Sequence, residues 1–142
     1  MSGDSTSVIV LDRSIASIER VQAELEKRWR ENPWINAVDR MALETALIEL
    51  ATNVIRYALH GEGATAELRL ATGDTELTAR ITDSGPEFHG DLEHITMPGS
   101  EAESRRGLAL IDGLMDVFEY RRLASENRWT IVRRLTPPVA AL

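Results

Sequence analysis

The sequence contains no cysteine, which excludes a disulfide framework and any thiolate metal site. Its three histidines, His60, His89 and His94, are scattered and argue against a zinc centre. No apolar run approaches the roughly 18 residues that a membrane-crossing helix needs. Met1 to Ser7 is polar and lacks the basic and apolar parts of a signal peptide, so the cytoplasm is the expected compartment. Basic residues are the minority: 16 Lys and Arg stand against 23 Asp and Glu, a formal net charge of −7. A surface of that sign repels phosphate backbones and argues against direct nucleic-acid binding, while a protein partner with a basic patch remains compatible. Neither an internal repeat nor a linker interrupts the chain. Its 142 residues are expected to form one domain (1–142), with a core from about 8 to 135.

What is present is an α+β pattern. Ser7 to Leu11 (SVIVL) is a short β-branched run suited to a strand. Asp12 and Ser14 offer helix N-cap oxygens. Ile15, Ile18, Val21, Leu25 and Trp29 then follow at helical spacing and stop before Pro33. Asn36 predicts the N-cap of a second helix running to about Leu59. Ala66, Leu68 and Leu70, then Leu77, Ala79 and Ile81, alternate with polar residues around Gly73-Asp74, which predicts a hairpin with one buried face. Gly85 to Arg106 shows no periodicity and is expected to be a long loop of lid or binding type. A short buried helix, Gly107 to Met115, and two strands, Val117 to Leu123 and Arg128 to Leu135, complete the order, with a turn around Ser125 to Asn127. The expected fold is a two-layer α/β sandwich: a mostly antiparallel mixed sheet with helices on one face.

Three segments can carry chemistry. On the second helix a polar stripe, Thr45, Glu49, Asn53, Arg56 and His60, runs between two apolar faces. It is either a solvent-facing strip or the wall of a cleft. Glu49 and Asn53 lie one turn apart, and their oxygens are hard ligands that suit Mg²⁺ and its waters. In ITDSGPEF, Ile81 to Phe88, Asp83 stands at the end of a buried strand before Gly85. There it either caps its own turn or accepts a hydrogen bond from an exocyclic amine, with Gly85 letting a flat ring approach. In SRRGLALI, Ser104 to Ile111, Gly107 stands at an expected helix start beside Arg105 and Arg106. That is either a basic loop entering a core helix or a phosphate site made of free N–H groups and a helix dipole.

Taken in order, ELATN, then DSGPEF, then a long loop, then RGLALI, the chain resembles the ATP-binding boxes of the GHKL superfamily of histidine kinases, gyrase, Hsp90 and MutL. It is most similar to the anti-sigma-factor serine kinases of the RsbW/SpoIIAB type, and GLALIDGLMDVFEYR looks particularly like that branch. The resemblance implies a Bergerat ATP-binding fold with ATP and Mg²⁺ as cofactors. It implies that Asn53 holds Mg²⁺, that Glu49 is the general base, and that Asp83 reads adenine with Gly85 beside the base. Arg56, Arg105, Arg106, Gly107 and Leu108 would belong to the phosphate and lid region, and Thr130 would line the adenine pocket. It further implies an anti-sigma factor that sequesters a sigma factor, phosphorylates a STAS-type anti-anti-sigma protein and forms a homodimer.

Two positions depart from the pattern. Ser104 and Arg105 stand where the family carries glycines before Arg-Gly-Leu, and Tyr57 stands where its small kinases often carry histidine. Two readings therefore stay open: a protein kinase, or a partner-switching regulator with a degenerate nucleotide lid that transfers nothing. The catalytic part of a histidine kinase fits less well, because the N-terminal helix carries no histidine.

Overall fold

Alternation of apolar and polar residues over Ala66–Thr72 and Glu76–Asp83 builds the centre of the fold. Those strands, β2 and β3, bury Ala66, Leu68, Leu70, Leu77, Ala79 and Ile81 on one side and turn Glu67, Arg69 and Arg80 to the other. The structure, a computed structural model, describes residues 5–88 and 102–137. The first strand, β1, spans Ser5–Leu11, and two helices follow it, α1 at Ala16–Glu31 and α2 at Ala37–Tyr57. After β3 come α3 at Ala102–Leu114, β4 at Val117–Leu123 and β5 at Glu126–Arg134. The sheet order is β1-β2-β3-β5-β4. Every pairing in it is antiparallel, so the expected mixed sheet is an antiparallel one. The Gly73-Asp74 hairpin forms as expected, with Thr72 opposite Leu77.

Of the helices, α2 is the central one. Asn36 caps it, its side-chain oxygen accepting from the Asp39 N–H at 2.8 Å. Leu43, Ala46, Leu47, Leu50, Ala51 and Val54 then disappear into the core. Asp39, 1% exposed, ties three elements together. Its carboxylate accepts from Arg133 of β5 at 2.9 Å and from the Thr136 amide at 2.8 Å, while Arg133 also donates to the Leu114 carbonyl at the end of α3.

On α1 the expected apolar stripe holds at Val21 and Leu25, whereas Ile15 is 82% exposed. The expected side-chain cap is absent: Ile15 occupies the N-cap position, and Asp12 instead accepts from the Ser14 and Ser17 hydroxyls. The residue that anchors α1 is Arg28, 1% exposed. Its guanidinium donates to the Ser5 and Leu70 carbonyls and to the Thr72 and Ser7 hydroxyls at 2.6–2.8 Å, with Glu24 at 3.4 Å. Burial pushes this guanidinium below its ordinary pKa, and Glu24 offsets part of that.

Most of the long loop expected over Gly85 to Arg106 lies outside the described residues. Its end corrects the expectation, because α3 begins at Ala102 rather than at Gly107. No described helix is long and apolar enough to cross a membrane.

Candidate functional site

Glu49 and Asn53 project from the half-buried flank of α2, and the element that meets them is α3. A Cβ added to Gly107 would stand 2.8 Å from Glu49 Oε2 and 3.3 Å from Asn53 Nδ2. The Glu49–Asn53 part of the α2 polar stripe is therefore the floor of a contact with α3, while Arg56 and His60 at its end are exposed. Absence of a side chain at Gly107 leaves room above the Glu49 carboxylate and the Asn53 amide. Among the described residues no group of three His, Cys, Asp or Glu side chains gathers to hold a metal. Among the described residues Glu49 and Asn53 offer oxygens here, a set that fits a hard cation which keeps its waters and takes further oxygens from phosphate.

The second cluster sits where β3 ends. Asp83 is 2% exposed and continues the inward series of Leu77, Ala79 and Ile81. Its Oδ1 accepts from the Gly85 N–H and from Asn127 Nδ2, both at 2.8 Å. Its Oδ2 is buried and has no hydrogen-bond partner among the described residues. One oxygen thus caps the turn, as one of the two sequence readings has it, and the other is a buried acceptor with no donor among the described residues. Such an atom carries a desolvation cost of about 1–3 kcal/mol until a donor arrives. Gly85 is needed here for a reason beyond an approaching ring. A Cβ on it would lie 2.5 Å from the carbonyl oxygen of Ala58, the C-cap residue of α2.

Both clusters are therefore registered on one helix. Gly107 rests on the Glu49–Asn53 turn, and Gly85 rests on Ala58. A rise of about 1.5 Å per residue separates Asn53 from Ala58 by roughly 7–8 Å along the axis.

The remaining expected site residues divide. Arg56 is exposed near the end of α2, with its guanidinium 5.8 Å from the centre of the Tyr57 ring. Arg106 is exposed on α3, and the Arg105 side chain lies outside the described residues. Gly107 is not at a helix start; it is inside α3, so its N–H belongs to the helix and is no free donor for phosphate in this conformation. Leu108 is 4% exposed and packs into the core. Thr130 does not line the Asp83 side. It alternates with the inward Trp129 and Ile131, faces the side of the sheet away from the described helices, and accepts from Arg80 Nε at 3.3 Å.

One residue escaped the sequence reading altogether. Asn127, expected in a turn, lies in β5 opposite Asp83 and is 2% exposed. Inward alternation with Trp129 and Ile131 was the available signal.

A model of the histidine kinase-like ATPase domain matches residues 11–134. The chain is similar in structure to the RsbU and RsbW domains of Rv1364c from Mycobacterium tuberculosis, with 20% identity and a TM-score of 0.66. That match covers 97% of this chain and 34% of the other, so the chain spans about a third of its length. It is also similar to the histidine kinase AdeS of Acinetobacter baumannii, with 18% identity, a TM-score of 0.51, and coverage of 92% and 68%. At these identities the likeness is one of fold. No curated protein sequence matches the chain. The match over residues 11–134 places the chain in the histidine kinase-like ATPase domain family.

Proposed function

We propose that the protein binds Mg-ATP along α2 and acts as an anti-sigma factor and serine/threonine kinase toward a STAS-type partner. The observation that carries the reading is the buried, unpartnered Oδ2 of Asp83 beside the C-terminal end of α2, whose last turns present Glu49 and Asn53 under Gly107. An exocyclic amine satisfies the first; a triphosphate reaching toward α3 meets the second. Family membership and the fold shared with an RsbW domain support the same reading.

In this account Asn53 would hold Mg²⁺ through its amide oxygen, and the ion would neutralise charge on the phosphates. Glu49 accepts the proton of a partner serine hydroxyl as its oxygen bonds to the γ-phosphorus; the bond to the bridging oxygen breaks and ADP leaves. The partners are a sigma factor and a STAS-domain anti-anti-sigma protein. The protein works as a homodimer in the cytoplasm.

A second reading is a partner-switching regulator that transfers nothing. One observation favours it: α3 runs unbroken from Ala102 through Arg106 and Gly107, so the amides of those two residues are used within the helix and are not offered to phosphate as those of a glycine-rich lid would be. Transfer of labelled γ-phosphate to a purified STAS domain separates the two. The kinase reading predicts transfer by the wild type, and ATP binding without transfer by Glu49→Ala. Equal transfer by the mutant removes Glu49 from the base role, and absence of transfer by wild type that binds ATP establishes the second reading.

A further inference from the structure

Resting on the nucleotide reading above, we infer that Asn127 is the positioning residue for base selection. It fixes the Asp83 carboxylate so that one oxygen alone is left to meet the 6-amino group of adenine.

Asn127 is held from both ends of its amide. Its Oδ1 accepts from the Tyr120 hydroxyl at 2.5 Å and from Arg122 Nη1 at 3.0 Å. Its Nδ2 donates to Asp83 Oδ1 and to the Pro86 carbonyl, both at 2.8 Å, with the Gly85 carbonyl at 3.3 Å. Two donors face the oxygen and three acceptors face the nitrogen, so this environment admits only one orientation of the amide. An aspartate here would set a second carboxylate against Asp83 and two carbonyls.

Its consequence falls on Asp83. The Gly85 N–H and Asn127 Nδ2 converge on Oδ1, which fixes the carboxylate plane and presents Oδ2 as the acceptor. A 6-amino purine offers that oxygen a donor, whereas a 6-oxo purine offers an acceptor and repels it. The same assembly fixes the chain after the turn. Arg122 Nη1 donates to the Gly85 carbonyl at 2.8 Å, and the Phe88 N–H donates to the Tyr120 hydroxyl at 2.9 Å. Edge-on contacts of the Phe88 ring with Tyr120 and Trp129 close the apolar side, with ring centres 5.5 and 5.2 Å apart. The hairpin of β4 and β5 thus clamps the segment from Asp83 to Phe88, and Asn127 is the hinge pin between them.

A purely structural role and a selecting role differ in what they do to two ligands. Affinities for ATP and for purine riboside 5′-triphosphate, which lacks the 6-amino group, are measured by calorimetry on wild type, Asn127→Leu and Tyr120→Phe. Circular dichroism establishes that each variant is folded. The inference predicts that the wild type prefers ATP by about tenfold or more, as for a hydrogen bond to a charged group. Asn127→Leu should lose that preference while holding the analogue within about threefold of wild type. Tyr120→Phe should show a smaller loss of preference, and decides the matter if Asn127→Leu does not fold. Equal loss of both ligands, or a preference unchanged in the folded variants, overturns the inference and leaves the nucleotide site standing. Failure of the wild type to bind either ligand overturns the nucleotide reading itself, and this inference with it.

Discussion

A Cβ on Gly107 would stand 2.8 Å from the Glu49 carboxylate, so the backbone of α3 lies directly on the charged face of α2. The atom it would meet is the tip of a flexible side chain, which can turn aside. Gly107→Ala should therefore keep the fold, since alanine favours a helix interior over glycine by about 1 kcal/mol. Displacement of Glu49 should lower transfer to a STAS partner by about tenfold or more. Unfolding curves and transfer rates on the same preparation check both halves, and full transfer activity in a stable variant would contradict the role of this contact.

Asp39 sets the acid limit of stability. Burial alone would raise its carboxyl, but the Thr136 amide and the Arg133 guanidinium outweigh burial and hold it below its ordinary value of 3.8. Its folded pKa is the lower one, so the stability it adds is complete above about pH 4 and is lost as pH falls through the folded value. Asp12, held near 2 chiefly by the Ser14 hydroxyl, adds to the same limb. Denaturant titrations at pH 7, 5 and 3 should show a flat upper range and a fall at pH 3. Asp39→Asn should be less stable than wild type at pH 7, and the gap should narrow by pH 3. A gap independent of pH would remove Asp39 from this role.

Arg28 is the buried charge on which α1 depends. Arg28→Met strips donors from the Ser5 and Leu70 carbonyls and from the Ser7 and Thr72 hydroxyls, and leaves Glu24 without its partner. The expected loss is about 3 kcal/mol, because removing one side of a buried ionic assembly strands the other. A lower urea midpoint at unchanged slope would confirm it; a loss under about 1 kcal/mol would show that water replaces the guanidinium.

The turn between β4 and β5 carries Ala124 at φ 53°, a left-handed conformation that disfavours a Cβ. Ala124→Gly should raise stability by about 0.5 kcal/mol, relief of strain exceeding the added freedom of the unfolded chain. A thermal midpoint higher by roughly 1–2 °C is the expected reading. A lower midpoint would mean that the turn carries no strain.

How far this molecule is legible in its sequence depends on the range of each interaction. The Asn36 cap, the Gly73-Asp74 hairpin and the paired faces of α2 are local patterns, and all appear where the sequence puts them. Arg28 hides in the pattern because a charged residue at helical spacing looks like exposed surface until four acceptors from β1 and β2 surround it. Tertiary contact also decides α3: its first turns carry no periodicity of their own and form as a continuation of the buried Leu108 and Ile111. Thr130 and Asn127 turn on strand phase, where a shift of one residue exchanges the faces. Asp83 and the Glu49–Asn53 pair are visible by motif, as are the two last strands, while the contact of their hairpin with Asp83 is not, since the partners lie some forty residues apart.

The central claim is that α2 carries a nucleotide between Asp83 and the Glu49–Asn53 pair, and thermal unfolding with Mg-ATP tests it most directly. Ligand at one hundred times its dissociation constant adds about 2.7 kcal/mol, which for a chain of this size raises the midpoint by roughly 6–10 °C. The account predicts that rise in the wild type, and a much smaller one in both Asp83→Asn and Asn53→Ala at the same ligand concentration. A midpoint unmoved by Mg-ATP in the wild type, or moved equally in all three proteins, would contradict it.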